Sequence, residues 1–296
     1  MKIAVIHYRS KPSLSSSELL FTIQELGHTP VYLKIHELDA YLEDGAIAVK
    51  RFGQEVEVDA GIIRSIGLTL TIDTFAKRLG VLETLAQNSV LINKPSTITY
   101  TRDKWRCLLK LAINGIPVPS TLITENPYTA RRYCGDKGKV VYKPLMGSLG
   151  LGSTLVSDPD IAYHITRSLI NIGIPSYYQE YLEKPGYDFR VFVVGDKAIG
   201  AMKRVQATGW KTNIAQGARG VKINENEYPE VFELAIRSVR TLKLDYAGVD
   251  IAYDKRTEKY YVLEVNAYPQ WRGLRVATGV DVAKHIVLYL INKTKR

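Results

Sequence analysis

Tyr260-Tyr261-Val262-Leu263-Glu264-Val265-Asn266 is an apolar run interrupted by one carboxylate and ended by an amide. Read as a strand, its alternation puts Tyr260, Val262, Glu264 and Asn266 on one face and Tyr261, Leu263 and Val265 on the other. An ionised group buried without compensation costs several kcal/mol, so Glu264 needs a cation or a rigid donor set in front of it. Asp250 poses the same problem inside Gly248-Val249-Asp250-Ile251-Ala252, one strand earlier, across the polar loop Asp254-Lys255-Arg256-Thr257-Glu258-Lys259. A hairpin would bring two carboxylates and the Asn266 amide oxygen together. Such a set suits magnesium, which prefers oxygen ligands. The competing reading is an ion pair between Glu264 and a Lys or Arg across the sheet.

Working back along the chain, Asp188-Phe189-Arg190 is followed by Lys203-Arg204 and by Trp210-Lys211-Thr212-Asn213. Arg190 stands on a strand otherwise made of Phe192, Val193 and Val194. Cations on inner strands beside carboxylates make either an electropositive floor for phosphate groups or an ordinary solvated sheet face. Earlier still, Lys143-Pro144-Leu145-Met146-Gly147-Ser148-Leu149-Gly150-Leu151-Gly152 sets a strand-end lysine before a glycine-rich loop. Glycines let backbone amides approach phosphate oxygens, and Lys143 adds a point charge. There is no GK[ST] and no helix directly after, so this is neither a Walker loop nor a dinucleotide fingerprint, and a plain hairpin competes with it.

The N-terminal third alternates β and α patterns. Lys2 to Ile6 reads as a strand and Leu14 to Leu26 as a helix; Thr29 to Leu33, Gly61 to Arg64 and Ser89 to Asn93 are further short apolar segments separated by helical patterns. That order predicts a parallel, doubly wound sheet. Arg64, at a strand end, is the candidate for gripping a substrate carboxylate. From Asp103 to Asn114 the spacing predicts a helix with Trp105, Leu108, Leu109, Ala112 and Ile113 on one face. Strands at Lys139–Lys143 and Ser153–Val156 and a helix around Ile161 to Ile172 form a small α+β unit, and antiparallel strands dominate from Ser176 onward. Domain boundaries are expected near 95 and 175, dividing the chain into 1–95, 96–175 and 176–296.

The 296 residues, 46% hydrophobic and 24% charged, describe an ordinary globular chain. No apolar run reaches the roughly 18 residues of a membrane span, so a cytoplasmic protein without a membrane partner is expected. Cys107 and Cys134 form no ligand or disulfide pattern. Lys and Arg outnumber Asp and Glu 40 to 30, which points to an anionic partner. With no basic block and no zinc-finger or RNP signature, a phosphate-bearing small molecule is favoured over nucleic acid.

In order along the chain stand Thr101-Arg102-Asp103-Lys104, Val141-Tyr142-Lys143-Pro144 with its glycine loop, Gln179-Glu180-Tyr181-Leu182, Asp188 to Val194, Asn213-Ile214-Ala215-Gln216-Gly217 and Leu263-Glu264-Val265-Asn266. Together these six motifs resemble the ATP-grasp ligases, and most closely the RimK-type branch, which joins amino acids, often glutamate, to a carboxylate. The resemblance implies an α/β ATP-grasp fold with an N-terminal doubly wound substrate-side domain (1–95) and two α+β subdomains sandwiching ATP, a central lid subdomain (96–175) and a C-terminal metal-binding subdomain (176–296). It implies Lys104 and Lys143 on the ATP phosphates, with Gly147, Ser148, Gly150 and Gly152 in the covering loop, and Glu180 and Tyr181 as the adenine hinge. It further implies Asp188 near the ribose and Lys211 and Asn213 at the nucleotide. Asp250, Glu264 and Asn266 would be magnesium ligands, with Mn2+ able to substitute, and Arg190 and Arg204 would be catalytic groups at the phosphoryl centre.

Two departures concern the acceptor. Arg219 stands in Gln216-Gly217-Ala218-Arg219-Gly220 where small residues are expected. The tail Asn266-Ala267-Tyr268-Pro269-Gln270-Trp271-Arg272-Gly273-Leu274 lacks the Met-Glu-Phe signature of relatives acting on an amino-group carrier protein of lysine or arginine biosynthesis. It looks more like the branch adding glutamate to a pterin or deazaflavin coenzyme. Three readings follow: a ligase for a small carboxylate acceptor and an amino acid, a ligase for a protein C-terminus such as that of a ribosomal or carrier protein, and a nucleotide-binding module without catalysis. Acyl-phosphate chemistry needs no covalent side chain, which fits five scattered histidines and no Ser-His-Asp or Cys-His set. A homo-oligomer is expected.

Overall fold

The computed structural model describes residues 1–68, 70–146, 152–206 and 219–295. The chain opens with β1 (Lys2–His7), α1 (Leu14–Glu25), β2 (Thr29–Lys34), β3 (Leu38–Glu43), β4 (Ala46–Arg51), β5 (Gln54–Glu55), β6 (Ala60–Ile63), α2 (Ile72–Leu85) and β7 (Val90–Ile92). Strands β2-β1-β6-β7 form a parallel sheet, as the alternating pattern predicts. Between β2 and β6, however, the chain makes the antiparallel sheet β3-β4-β5 where a helical pattern is expected. Leu38 and Val49 are buried there, while Leu42 and Phe52 stay exposed.

Next come α3 (Pro95–Thr101) and α4 (Lys104–Ile113), the latter capped by Asp103, whose carboxylate accepts from the Arg106 amide at 3.1 Å. The buried side chains of α4 are Cys107, Leu108 and Leu111, whereas Leu109 and Ile113 are exposed. The helix is where the spacing puts it, but its buried face is turned from the predicted one.

The middle of the chain holds β8 (Thr121–Thr124), α5 (Pro127–Lys137), β9 (Val140–Lys143), β10 (Thr154–Val156), α6 (Pro159–Ile170) and β11 (Ser176–Glu180). They build an antiparallel sheet of order β10-β9-β11-β8. Because β11 lies between β9 and β8, this sheet runs past residue 175, where the sequence pattern suggests a boundary.

The remainder comprises β12 (Tyr187–Val194), β13 (Lys197–Val205), β14 (Arg219–Lys222), α7 (Pro229–Thr241), β15 (Tyr246–Asp254), β16 (Lys259–Asn266), α8 (Arg272–Thr278) and α9 (Val282–Thr294). Its sheet, β14-β13-β12-β15-β16, is antiparallel throughout. One face is sealed by α4 and α7 through Leu108, Leu111, Val231 and Val239 against Val191, Val249 and Val265. Another core joins this sheet to the N-terminal one, with Phe192, Tyr246 and Trp271 meeting Ile3, Val5, Ile62 and Ile92, closed by Ile286, Val287 and Leu290 of α9. Among the described residues no helix is long and apolar enough to cross a membrane.

Candidate active site

The pairing of β15 with β16 sets Asp250 opposite Glu264 and Gly248 opposite Asn266, with a register shift between Asp250 and Ile251. In an antiparallel pair, facing residues share a side of the sheet, so the three polar groups form one oxygen-bearing patch. Asp250 is buried; Glu264 and Asn266 are half-buried.

The patch continues across the sheet as charges of alternating sign. Arg190 of β12 lies opposite Asp250, and Asp188 lies opposite Arg204 of β13. Arg204 grips Asp188 with two hydrogen bonds, Nε to Oδ1 at 2.7 Å and Nη2 to Oδ2 at 2.9 Å, and reaches Asp250 Oδ2 at 3.2 Å. Arg190 donates from Nη2 to the same Oδ2 at 3.0 Å and from Nε pairs with Oδ1. Burial alone would push the Arg204 guanidinium down; Asp188 and Asp250 more than offset this and hold it above its usual range. A glycine at 248 makes room for this arrangement, since a Cβ there would stand 2.5 Å from Arg190 Nη1 and 2.9 Å from Pro269 Cβ.

Lys143, at the end of β9, reaches the patch from the neighbouring sheet. Its Nζ donates to Gln179 Oε1 at 2.5 Å, and the Gln179 amide nitrogen in turn donates to Thr121 Oγ1 and Tyr177 Oη, each at 3.4 Å. Burial pushes the Lys143 ammonium down to about 8; Glu264 and Asp250 raise it and Lys104 and Lys184 lower it. The last four side chains are therefore its electrostatic neighbours. Lys184 is likewise pushed down by burial, with Asp188 and Asp250 acting against it. Neither Gln179 nor Lys184 is singled out by the sequence as a site residue, although Gln179 opens the Gln179-Glu180-Tyr181-Leu182 motif.

Several expected contacts are taken up by the protein itself. Asp188 is only 2% exposed and gives both carboxylate oxygens to Arg204, which makes it the anchor of that arginine. Arg64, also 2% exposed, donates to Pro269 O at 2.7 Å, Ser15 Oγ at 3.3 Å and Tyr246 Oη at 3.4 Å, and lies 4.4 Å from the Trp271 ring centroid. It ties the N-terminal sheet to the segment after β16. The amides of Glu180 and Tyr181 bond to Ser120 O and Lys139 O, while the Glu180 carboxylate pairs with Arg256 at 3.0 Å and Lys137 at 3.6 Å. Arg256 also donates to Tyr181 O at 3.3 Å, so this crossover between the two antiparallel sheets is fastened on both sides.

Lys104 begins α4. Gly152 has φ +76°, and a Cβ there would stand 2.9 Å from Pro144 Cγ, so both backbone and space call for glycine. Gly147, Ser148, Gly150, Lys211 and Asn213 lie outside the described residues. Arg219 opens β14 and is exposed.

Among the described residues no three His, Cys, Asp or Glu side chains converge as a metal cage. The set present is two carboxylates and an amide, all oxygen donors. It fits Mg2+, a hard cation that binds through one or two carboxylates and completes its shell with water and phosphate oxygens.

The chain is 31% identical to the tetrahydromethanopterin:alpha-L-glutamate ligase of Methanosarcina acetivorans over 265 residues, covering 80% of this chain and 81% of that protein. It is 32% identical to a probable alpha-L-glutamate ligase of Trichodesmium erythraeum, covering 98% and 96%. Among solved structures, the ATP-grasp ligase PsnB complexed with minimal precursor matches with a TM-score of 0.76 at 23% identity, covering 98% of each chain. The macrocyclase MdnC of Microcystis aeruginosa bound with precursor peptide MdnA matches with a TM-score of 0.74 at 16% identity, covering 99% of this chain and all of that one, so the fold is shared well beyond sequence similarity. A RimK-like ATP-grasp domain model matches residues 101–290, and the chain belongs to the RimK-like ATP-grasp family of ligases.

Proposed function

We propose that this protein adds glutamate to a small carboxylate-bearing coenzyme of the pterin or deazaflavin class, within the ATP-dependent carboxylate–amine ligation of its family. The observation that carries the ligase reading is the facing pair Asp250 and Glu264 with Asn266 on one sheet face, met by Lys143 from the next sheet. The coenzyme reading draws on the tail after Asn266 and on the tetrahydromethanopterin ligase relative.

In this reading Lys143 and Lys104 hold ATP phosphates, and Asp250, Glu264 and Asn266 hold Mg2+. When bound, the ion neutralises phosphate charge. An acceptor carboxylate oxygen attacks the γ-phosphorus and the bond to the β,γ-bridging oxygen breaks, giving an acyl phosphate and ADP. Arg190 and Arg204 offset the charge on the moving phosphoryl group, and Asp188 keeps Arg204 in place. The glutamate amine then attacks the acyl carbon, loses a proton and expels phosphate.

An ADP-release screen with glutamate and other amino acids against pterin, deazaflavin and peptide acceptors tests the proposal. Turnover that needs glutamate and a coenzyme acceptor supports it. Turnover with a peptide acceptor alone overturns the acceptor class, and no nucleotide turnover with any acceptor overturns the ligase assignment for this chain.

A further inference from the structure

Asn93 follows β7 in the N-terminal unit and is fully buried. Its side-chain amide makes four hydrogen bonds, all to backbone groups of the C-terminal unit. Nδ2 donates to Tyr246 O at 3.0 Å and Ala267 O at 2.9 Å; Oδ1 accepts from Asp245 N at 2.6 Å and Tyr246 N at 3.1 Å. An amide has two donor hydrogens and two acceptor lone pairs, so its whole capacity is spent here.

These partners sit at the two strand ends that matter for the oxygen patch. Tyr246 begins β15, which carries Asp250, and Ala267 follows β16, which carries Glu264 and Asn266. The last rung between the strands is Gly248 with Asn266. Beyond it β16 departs, and Asn93 takes up the backbone groups at the point of departure. Asn266 is therefore held on one side by the ladder and on the other by a side chain from another unit.

We propose that Asn93 is a positioning residue for the cation-binding set, fixing the end of β16 so that the Asn266 amide oxygen stays beside Asp250 and Glu264. The inference rests on the assignment of those three residues to Mg2+. Groups that orient metal ligands without touching the metal typically alter affinity 10- to 100-fold when replaced. Asn93→Asp keeps the shape but removes both donors and turns an oxygen toward the carbonyls of Tyr246 and Ala267, so the strand end must shift.

The test titrates Mn2+ into the full chain with ADP present, reading free Mn2+ by electron paramagnetic resonance, with metal-free ADP affinity and thermal melting measured in parallel. Asn93→Asp is expected to weaken Mn2+ about 10- to 100-fold and to leave metal-free ADP affinity within about threefold of wild type. Leu82→Ala, a core truncation in the N-terminal unit, is expected to lower the melting temperature without changing Mn2+ affinity. Wild-type Mn2+ affinity in folded Asn93→Asp overturns the proposal, as does an equal shift in Leu82→Ala. If Asn93→Asp does not fold, Asn93→Ser replaces it, keeping one donor; failure of both to fold also overturns it, since the role is then in folding alone. Glu264→Gln with unchanged Mn2+ affinity would remove the metal assignment and this proposal with it, whereas normal Mn2+ binding in Asn93→Asp alone removes only the role of Asn93.

Discussion

Lys143 offers the most direct quantitative test of the site. Among the described residues its hydrogen-bond partner is a neutral amide oxygen, which holds the charge in position without cancelling it. A hydrogen bond to a charged group contributes about 1.5–3 kcal/mol, and each 1.4 kcal/mol is a factor of ten, so Lys143→Ala should weaken ATP binding about tenfold to a hundredfold. The same residue sets a pH dependence. Burial lowers its pKa to about 8, so the free protein carries the ammonium below that pH and loses it above. Nucleotide affinity should therefore be flat below about pH 8 and fall about tenfold per pH unit above it, because the neutral amine must first regain a proton. Lys143→Arg keeps its charge throughout and should flatten the profile. Titration calorimetry with a non-hydrolysable ATP analogue from about pH 7 to about pH 9.5 reads all three proteins. Amino acid selectivity should not change in Lys143→Ala, because a point charge contributes no shape. An affinity within about threefold of wild type for Lys143→Ala, or the same alkaline slope in Lys143→Arg, would refute the placement of phosphate at this lysine.

Glu264→Gln should abolish ligation while leaving the melting temperature near wild type, since it removes one anionic oxygen without changing volume; ATP turnover within about threefold of wild type would remove the metal assignment. Arg204→Leu leaves Asp188 and Asp250 buried without their shared cation and should cost about 3–5 kcal/mol in urea unfolding at neutral pH, and adding Asp188→Asn should recover part of that loss. A single variant as stable as wild type would show that the network is not a unit. Incubation with ATP, Mg2+, acceptor and glutamate should yield ADP and phosphate, with hydroxylamine trapping the activated acceptor as a hydroxamate; pyrophosphate as product would contradict attack at the γ-phosphorus.

The elements read most clearly from sequence are those whose signal is local. β15 and β16 announce themselves by carboxylates in apolar strands on either side of a polar loop, but a regular ladder from Asp254 and Lys259 would set Asp250 opposite Leu263, and it is the irregularity between Asp250 and Ile251 that brings it opposite Glu264. The parallel N-terminal sheet follows from repeated short apolar segments. What was not legible depends on distant partners. β11 carries nothing in its own residues that assigns it between β9 and β8. Asp188 and Arg64 look like free polar groups at strand positions, yet one is consumed by Arg204 across the β12–β13 pair and the other by Pro269 O, contacts made only after the sheets assemble. The turned face of α4 has the same origin. Leu109 and Ile113 have the right spacing, but the surface offered by β16 and α7 accepts Cys107, Leu108 and Leu111. Lys184 gives no pattern at all, and its place near Lys143 is visible only in three dimensions.

The closing of the N-terminal sheet by α9 has a consequence for how the chain can be made. Ile3, Val5, Ile62 and Ile92 emerge early from the ribosome, but the helix bearing Ile286, Val287 and Leu290, which shares their core, follows only after both antiparallel sheets. Until synthesis has passed Thr294, that side of the first sheet keeps apolar surface without its native cover. The N-terminal unit therefore cannot complete its folding as it is translated and must wait, exposed to non-native association, for the far end of the sequence. A fragment cut near residue 95 would carry the same uncovered surface permanently and should aggregate on expression, whereas supplying residues 282–294 in trans would offer it the missing layer.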